Sequence, residues 1–430
     1  MILYLQKKWQ QHQNIFLATA ALLLAAIYFL NAFAPLRLNN DTLRYFAIKE
    51  WLEAGGPTHS PAEKEFLPHG YPWFLVLLSS IHICRAFFIS FFQLLFLLGS
   101  AWFIQKIFSP SIKFLPLLIL LLTGWASLKF VITPLSEMQF LFFSTGALYF
   151  FKKAEEEKRM KILIPALLFS AIAIFTRTIG FVIILSVAGA FTWRNLRSTG
   201  GARRTGRLIS FSALVILLVV LLFYKQIGVR AYLDEHTWFF RNLFQHPLDF
   251  IFGNVKQHLV DWAGLFLNIP EPKLNLPADW VGARQLLFLL AGLFSFLWLM
   301  YALFKKGSAV PLLIKIYLIF YSFFIINWPL FEPRLWMPIW PLALAVFLME
   351  IKGRGKINWG PMCWLSVYLC IGCMALGYYT YTGFNRKSFA VKQDAGIWRN
   401  EYETYFFGKP LSDTAKTTRL PVVNLLKKYN

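Results

Sequence analysis

The sequence predicts an all-α polytopic membrane protein with about eleven transmembrane helices of roughly 20 residues each and a helical, interfacial first outer loop. Three observations predict it. Hydrophobic residues make up 57% of the 430-residue chain and include 45 Phe. Only 15% of residues are Asp, Glu, Lys or Arg, against about a quarter in a soluble domain, so most of the surface faces lipid and a soluble enzyme is excluded. The net charge of +22 gathers in short basic runs between apolar segments, as in the cytoplasmic loops of membrane proteins. That placement gives the charge a topological meaning, and no nucleic-acid partner is expected.

The first apolar segment, 15–34, is long enough to span, and no small-residue cleavage site follows it, so it stays as an anchor. Residues 35–85 form the first outer loop. From Thr42 to Ala54, Leu43, Phe46, Ala47, Trp51 and Ala54 keep helical spacing while Arg44, Lys49, Glu50 and Glu53 take the other side, the pattern of a helix lying on a membrane surface. Gly55-Gly56-Pro57 ends it. Further spans are expected at 86–105, 114–133, 138–151, 162–176, 179–193, 208–224, 286–304, 309–328, 335–349 and 361–381. Several fall short of the roughly 17 residues a bare span needs, which points to a water-filled cavity that their polar flanks enter.

The apolar run Tyr71 to Cys84 is settled by parity. If it crossed, the basic runs at 152–161 and 194–207 would face outward, against the positive-inside rule. Lying in the interface or dipping in and returning, it puts every basic run inside. The outer side then receives loop 35–85, the tips near Glu137, Arg177 and Glu332, a long loop at 225–285 and a tail from 382 to 430, beyond a transmembrane domain of residues 1–381. Cys84, Cys363, Cys370 and Cys373 lie in or beside apolar stretches and read as packing residues. The aromatics Trp238, Phe239, Phe240, Trp262 and Trp280 read as an interfacial belt, and His236, His246 and His258 show no metal-ligand spacing.

Ionisable residues at membrane depth mark function because their burial is costly. Asp41, Glu137, Arg177, Glu332 and Arg334 all fall at helix ends on the outer side. Asp41 reads either as a helix N-cap or as a carboxylate able to take a proton from a hydroxyl. Glu137 reads as a first-turn carboxylate or as a site residue, Arg334 as a local partner of Glu332 or as a planar donor set for a lipid phosphate. Lys129 and Lys315 read as snorkelling side chains. No phosphate-loop, nucleophile-elbow or metalloprotease motif is present.

These features in their order resemble the GT-C glycosyltransferases, especially the protein O-mannosyltransferase and lipid A aminoarabinose transferase branch. The likeness rests on Asp41 with Tyr45, Gly55-Gly56, Pro68-His69-Gly70-Tyr71-Pro72, Thr133-Pro134-Leu135-Ser136-Glu137, Arg177-Thr178-Ile179-Gly180 and Arg334-Leu335-Trp336-Met337-Pro338, and it runs from about residue 15 to 350. The family often has an acidic residue beside the first Asp, where this chain has Thr42, and an aromatic after the late Arg, where it has Leu335. A divalent metal at Asp41 is therefore not favoured, and no cofactor is expected.

The resemblance implies transfer of a sugar from a polyprenyl-phosphate donor to a glycan, lipid or protein acceptor at the outer face of the plasma membrane. Asp41 would be the general base, Arg334 and Arg177 would neutralise the leaving phosphate, Tyr45, His69 and Tyr71 would line the sugar pocket, and Glu137 would orient Asp41 or the acceptor. Two rival readings stand beside it: a polymerase or ligase using a diphosphate-linked donor, and a polytopic lipid or polysaccharide transporter, which calls for broken helices in two related halves.

Overall fold

The computed structural model describes residues 2–58, 60–65, 67–197, 226–274, 280–352, 359–411 and 417–430. Regular structure among them is helical throughout, with no strand. Four helices are long and apolar enough to cross a membrane: the His12–Asn31 part of α1 (Ile2–Asn31), α4 (Ala86–Ile107), α12 (Val281–Phe304) and α16 (Trp359–Phe384). A fifth candidate is the pair α5 (Phe114–Leu122) and α6 (Trp125–Val131), bent by 73° at Thr123–Gly124. Helices of this kind mark a membrane protein. The expected span 208–224 and the arginines at 203, 204 and 207 lie outside the described residues.

The other expected spans are occupied by shorter or more polar helices: α7 (Glu137–Glu157), α8 (Leu163–Thr176), α9 (Phe181–Arg197), α13 (Leu312–Ile326) and α15 (Trp340–Lys352). Their ends explain their lengths. Glu137 opens α7, Arg177 separates α8 from α9, and α13 stops at Ile326, all beside one cavity that these charges line together with apolar side chains. The basic runs sit elsewhere. Lys305 and Lys306 precede α13, whose 15 residues place them roughly 22 Å from the cavity end, and Lys305 pairs with Glu350 at 2.6 Å near the close of α15.

In the first loop, α2 (Asn40–Glu53) and the 11-residue α3 (Gly70–Ser80) pack on each other, and α3 is too short to span. The surface-helix expectation for α2 needs correction at Lys49, which helical spacing puts on the polar face but which is 1% exposed. Its Nζ lies 2.8 Å from both Glu53 Oε2 and Tyr429 Oη. The tail folds back onto this region: α17 (Arg386–Lys392) places Phe389 under the Arg37 guanidinium, α18 (Arg399–Phe407) brings Tyr402 to residues 36–38, and α19 (Leu420–Tyr429) sets Tyr429 against Phe46 of α2. Leu38 N donates to Tyr402 Oη, which donates on to Leu36 O, and Leu36 N donates to Asn430 Oδ1.

The long loop also departs from expectation. It holds α10 (Val229–Gln245) and α11 (Pro247–Phe266), and α11 packs along α12 with Trp262 fully buried. Trp262 is therefore core rather than belt. Beyond α11, Asn268 plugs the break between α5 and α6: its Nδ2 donates to Thr123 O and Tyr368 O, and its Oδ1 accepts from Trp125 N. Backbone groups that a broken helix would leave open in an apolar setting are thus satisfied. The cysteine reading changes as well, since Cys363, Cys370 and Cys373 are exposed on α16 and only Cys84 is buried.

Candidate functional site

One open cavity of about 1060 Å³, part of it open solvent, lies where α2, α7, α8 and α13 end. Asp41, Tyr45, Glu137, Arg177, Glu332 and Arg334 all line it, so residues separated by up to 293 positions converge.

Asp41 is presented by the first turn of α2. The N-cap is Asn39, whose Oδ1 accepts from Thr42 N and from the Thr42 hydroxyl, both at 2.8 Å. The capping role read for Asp41 thus belongs to Asn39, and the Asp41 carboxylate faces the cavity instead. Its Oδ2 is 2.5 Å from Arg334 Nη1, and its Oδ1 is 3.6 Å from Arg44 Nη1. Arg334 comes from α14 (Pro333–Trp336), a single turn held by Tyr321 Oη donating to Leu335 O. The local pairing expected for Arg334 is present too, with Glu332 Oε2 at 2.5 Å from Nε.

The second pair is deeper. Glu137 Oε1 is 2.8 Å from Arg177 Nη1, and Glu137 Oε2 has no hydrogen-bond partner. Its side chain is 2% exposed against 17% for Arg177, so the guanidinium is the half of this pair that a ligand reaches. Two glycines set the geometry. A Cβ on Gly70 would stand 2.6 Å from Phe175 C and O, and one on Gly180 would stand 2.7 Å from Ile174 N. The Pro68–Pro72 and Arg177–Gly180 motifs are therefore turns packed backbone to backbone against α8, and the close approach holds Arg177 at the rim.

Electrostatics follow the geometry. Burial alone would depress the Arg334 guanidinium, but Glu137, Asp41 and Glu332 outweigh it and hold the group above its ordinary value. Arg177 behaves alike, with Glu137 the main opposing charge. Burial, then the charges of Glu137 and Asp41, push the Tyr45 phenol up, so it stays a hydroxyl that donates to Ser136 Oγ at 2.9 Å.

His69 and Tyr71 lie behind the cavity wall rather than in it. His69 is 6% exposed, and its backbone N–H donates to Gln226 O. Tyr71 is fully buried, stacks edge-on against Tyr45 at 5.0 Å and accepts from Gln93 Nε2. Sequence reasoning misses two residues. Arg44 lines the cavity between Asp41 and Glu65, 2.6 Å from the latter; its i, i+3 spacing from Asp41 is the available signal. Lys129, which reads from the sequence as a snorkelling side chain, is exposed and lies within electrostatic reach of Glu332, Asp394 and Arg334.

Among the described residues no group of three or more His, Cys, Asp or Glu side chains is placed to hold a metal ion. The arrangement suits anion chemistry instead, with guanidiniums that accept an anion and a carboxylate at the same rim to take a proton. No protein-family model matches the chain, and no curated protein matches it either.

Proposed function

We propose that the protein is an integral membrane glycosyltransferase that moves a sugar from a polyprenyl-phosphate donor to an acceptor hydroxyl at the extracytoplasmic face of the plasma membrane. The observation that carries this reading is the direct contact of Asp41 and Arg334 at the rim of a cavity that also holds Arg177. A lipid-linked donor cannot leave the bilayer, so its phosphate has to be met where helix ends gather.

In this reaction the donor phosphate engages Arg334 and Arg177 bidentately. The carboxylate of Asp41, released from Arg334 by that competition, takes the proton of the acceptor hydroxyl. The acceptor oxygen forms the new bond at the anomeric carbon from the face opposite the phosphate, inverting it. The bond from that carbon to the phosphate oxygen breaks, and polyprenyl phosphate leaves with the electron pair, its charge held by the two guanidiniums. Glu137 holds Arg177 in place rather than touching substrate. The transporter reading draws on the bent α5–α6 pair, but Asn268 closes that break, so substrate groups find no free backbone there.

Two measurements test the proposal. In purified protein, Arg334→Gln is expected to lose affinity for undecaprenyl phosphate, whereas Asp41→Asn keeps it. In cells lacking the protein, mass spectrometry of envelope glycans should show one sugar decoration missing. Wild-type protein should restore it, and Asp41→Asn should restore it at least about a hundredfold more slowly. Full restoration by Asp41→Asn removes Asp41 as the base.

A further inference from the structure

The carbonyls of the last helical turn have no partner within the helix, and at the end of α13 side chains of α11 take them. Asn254 Nδ2 donates to Ile326 O at 2.6 Å and lies 3.4 Å from Trp328 O, and His258 Nε2 lies 2.8 Å from the same Trp328 carbonyl. Asn254 is 5% exposed and His258 is fully buried. The His258 ring also meets Phe331 edge-on at 5.1 Å and Trp336 at 6.1 Å. One imidazole thus touches the chain before and after Glu332 and Arg334.

Only a donor can face a carbonyl, so the ring proton sits on Nε2. Residues 328–332 form no helix, and Pro329 and Pro333 bracket the stretch with fixed φ. A short stiff arm of this kind carries the position of its root to its tip. The root is the Trp328 carbonyl, and just past the tip stands Arg334, 2.5 Å from Asp41.

We infer that Asn254 and His258 are positioning residues for Arg334: by holding the Ile326 and Trp328 carbonyls they fix where the guanidinium meets a phosphate, without touching it. The inference rests on the reading of the cavity as a lipid-phosphate site.

Two substitutions separate this role from packing. His258→Gln keeps an N–H near the Nε2 position and gives up the ring; His258→Phe keeps the ring contacts with Phe331 and Trp336 and gives up the donor. The probe is undecaprenyl phosphate in detergent micelles, titrated against the whole protein. His258→Phe is expected to bind it about tenfold more weakly, the loss of roughly one well-made hydrogen bond, and His258→Gln within about threefold of wild type. The reverse order, or wild-type affinity in His258→Phe, overturns the inference. Should His258→Phe not fold, Asn254→Leu takes its place, with weakened binding expected and wild-type affinity overturning. Hydrogen–deuterium exchange of peptides covering 327–336 gives a readout free of ligand. Faster exchange in His258→Phe than in His258→Gln supports the clamp, and equal exchange overturns it. If wild-type protein binds no undecaprenyl phosphate, the reading of the cavity fails, and the exchange result alone decides the clamp.

Discussion

Glu137 and Arg177 form a pair in which one charge is buried and the other reaches the cavity. Removing one partner of such a pair leaves an uncompensated charge, at a cost of about 3 kcal/mol or more. Glu137→Leu is therefore expected to lower the melting temperature in detergent sharply, and Glu137→Leu with Arg177→Met to lower it less; additive losses would show that the two are not coupled. Asp261 on α11, a helix not among those apolar enough to cross a membrane, gives a pH prediction. It is 8% exposed with Oδ2 unpartnered. Burial first, then the charges of Glu332 and Glu271, raise its pKa from 3.8 to about 7. The native state keeps a proton that the unfolded chain has released, so this contribution to stability is complete below the unfolded value and is lost as pH rises to about 7. Melting curves between about pH 5 and about pH 8 should show that decline in wild type and not in Asp261→Asn. Asp41, Glu137, Arg177, Glu332 and Arg334 were legible in the sequence because a charge beside an apolar run has few places to go. His69 and Tyr71 were not legible as wall residues: a motif fixes a turn, and which of its side chains faces the cavity depends on packing against α8.

The elements divide in the same way. Apolar length showed α1, α4, α12 and α16, and the parity of the basic runs kept the Tyr71–Cys84 stretch from being counted as a crossing. The bend at Thr123–Gly124 and the burial of α11 were hidden: the first is held by Asn268 meeting backbone groups 143 to 145 positions away and at Tyr368, the second by Trp262 meeting Trp336 and Trp340. No periodicity reports such a contact. Asn268→Leu should therefore be among the most damaging single substitutions in the fold. It leaves Thr123 O and Trp125 N at the break without that partner, at about 1 to 3 kcal/mol for each buried group left unmade, while Tyr368 O keeps its bond within α16. A melting temperature within a degree or two of wild type would show that the break is held by something else.

At the scale of the whole molecule the charges separate along the helix axes. Lys305, Lys306 and the Lys152–Lys161 run stand at the ends of α13 and α7 remote from the cavity, while loop 35–85 and the tail 385–430 meet at the cavity end through Lys49, Tyr402 and Tyr429. Positive loops are retained on the cytoplasmic side, so the proposed function requires the cavity and the tail to face outward together. Single cysteines placed in a background lacking the four native ones test this directly. Glu63→Cys in the first loop and Leu411→Cys in the tail are both exposed positions, as is Lys306→Cys at the opposite end. In intact cells a membrane-impermeant maleimide is expected to label the first two and spare the third, which should react only after the membrane is opened. Labelling of Lys306→Cys in intact cells, with Glu63→Cys and Leu411→Cys protected, would turn the molecule over. An acceptor outside the cell could then no longer reach Asp41.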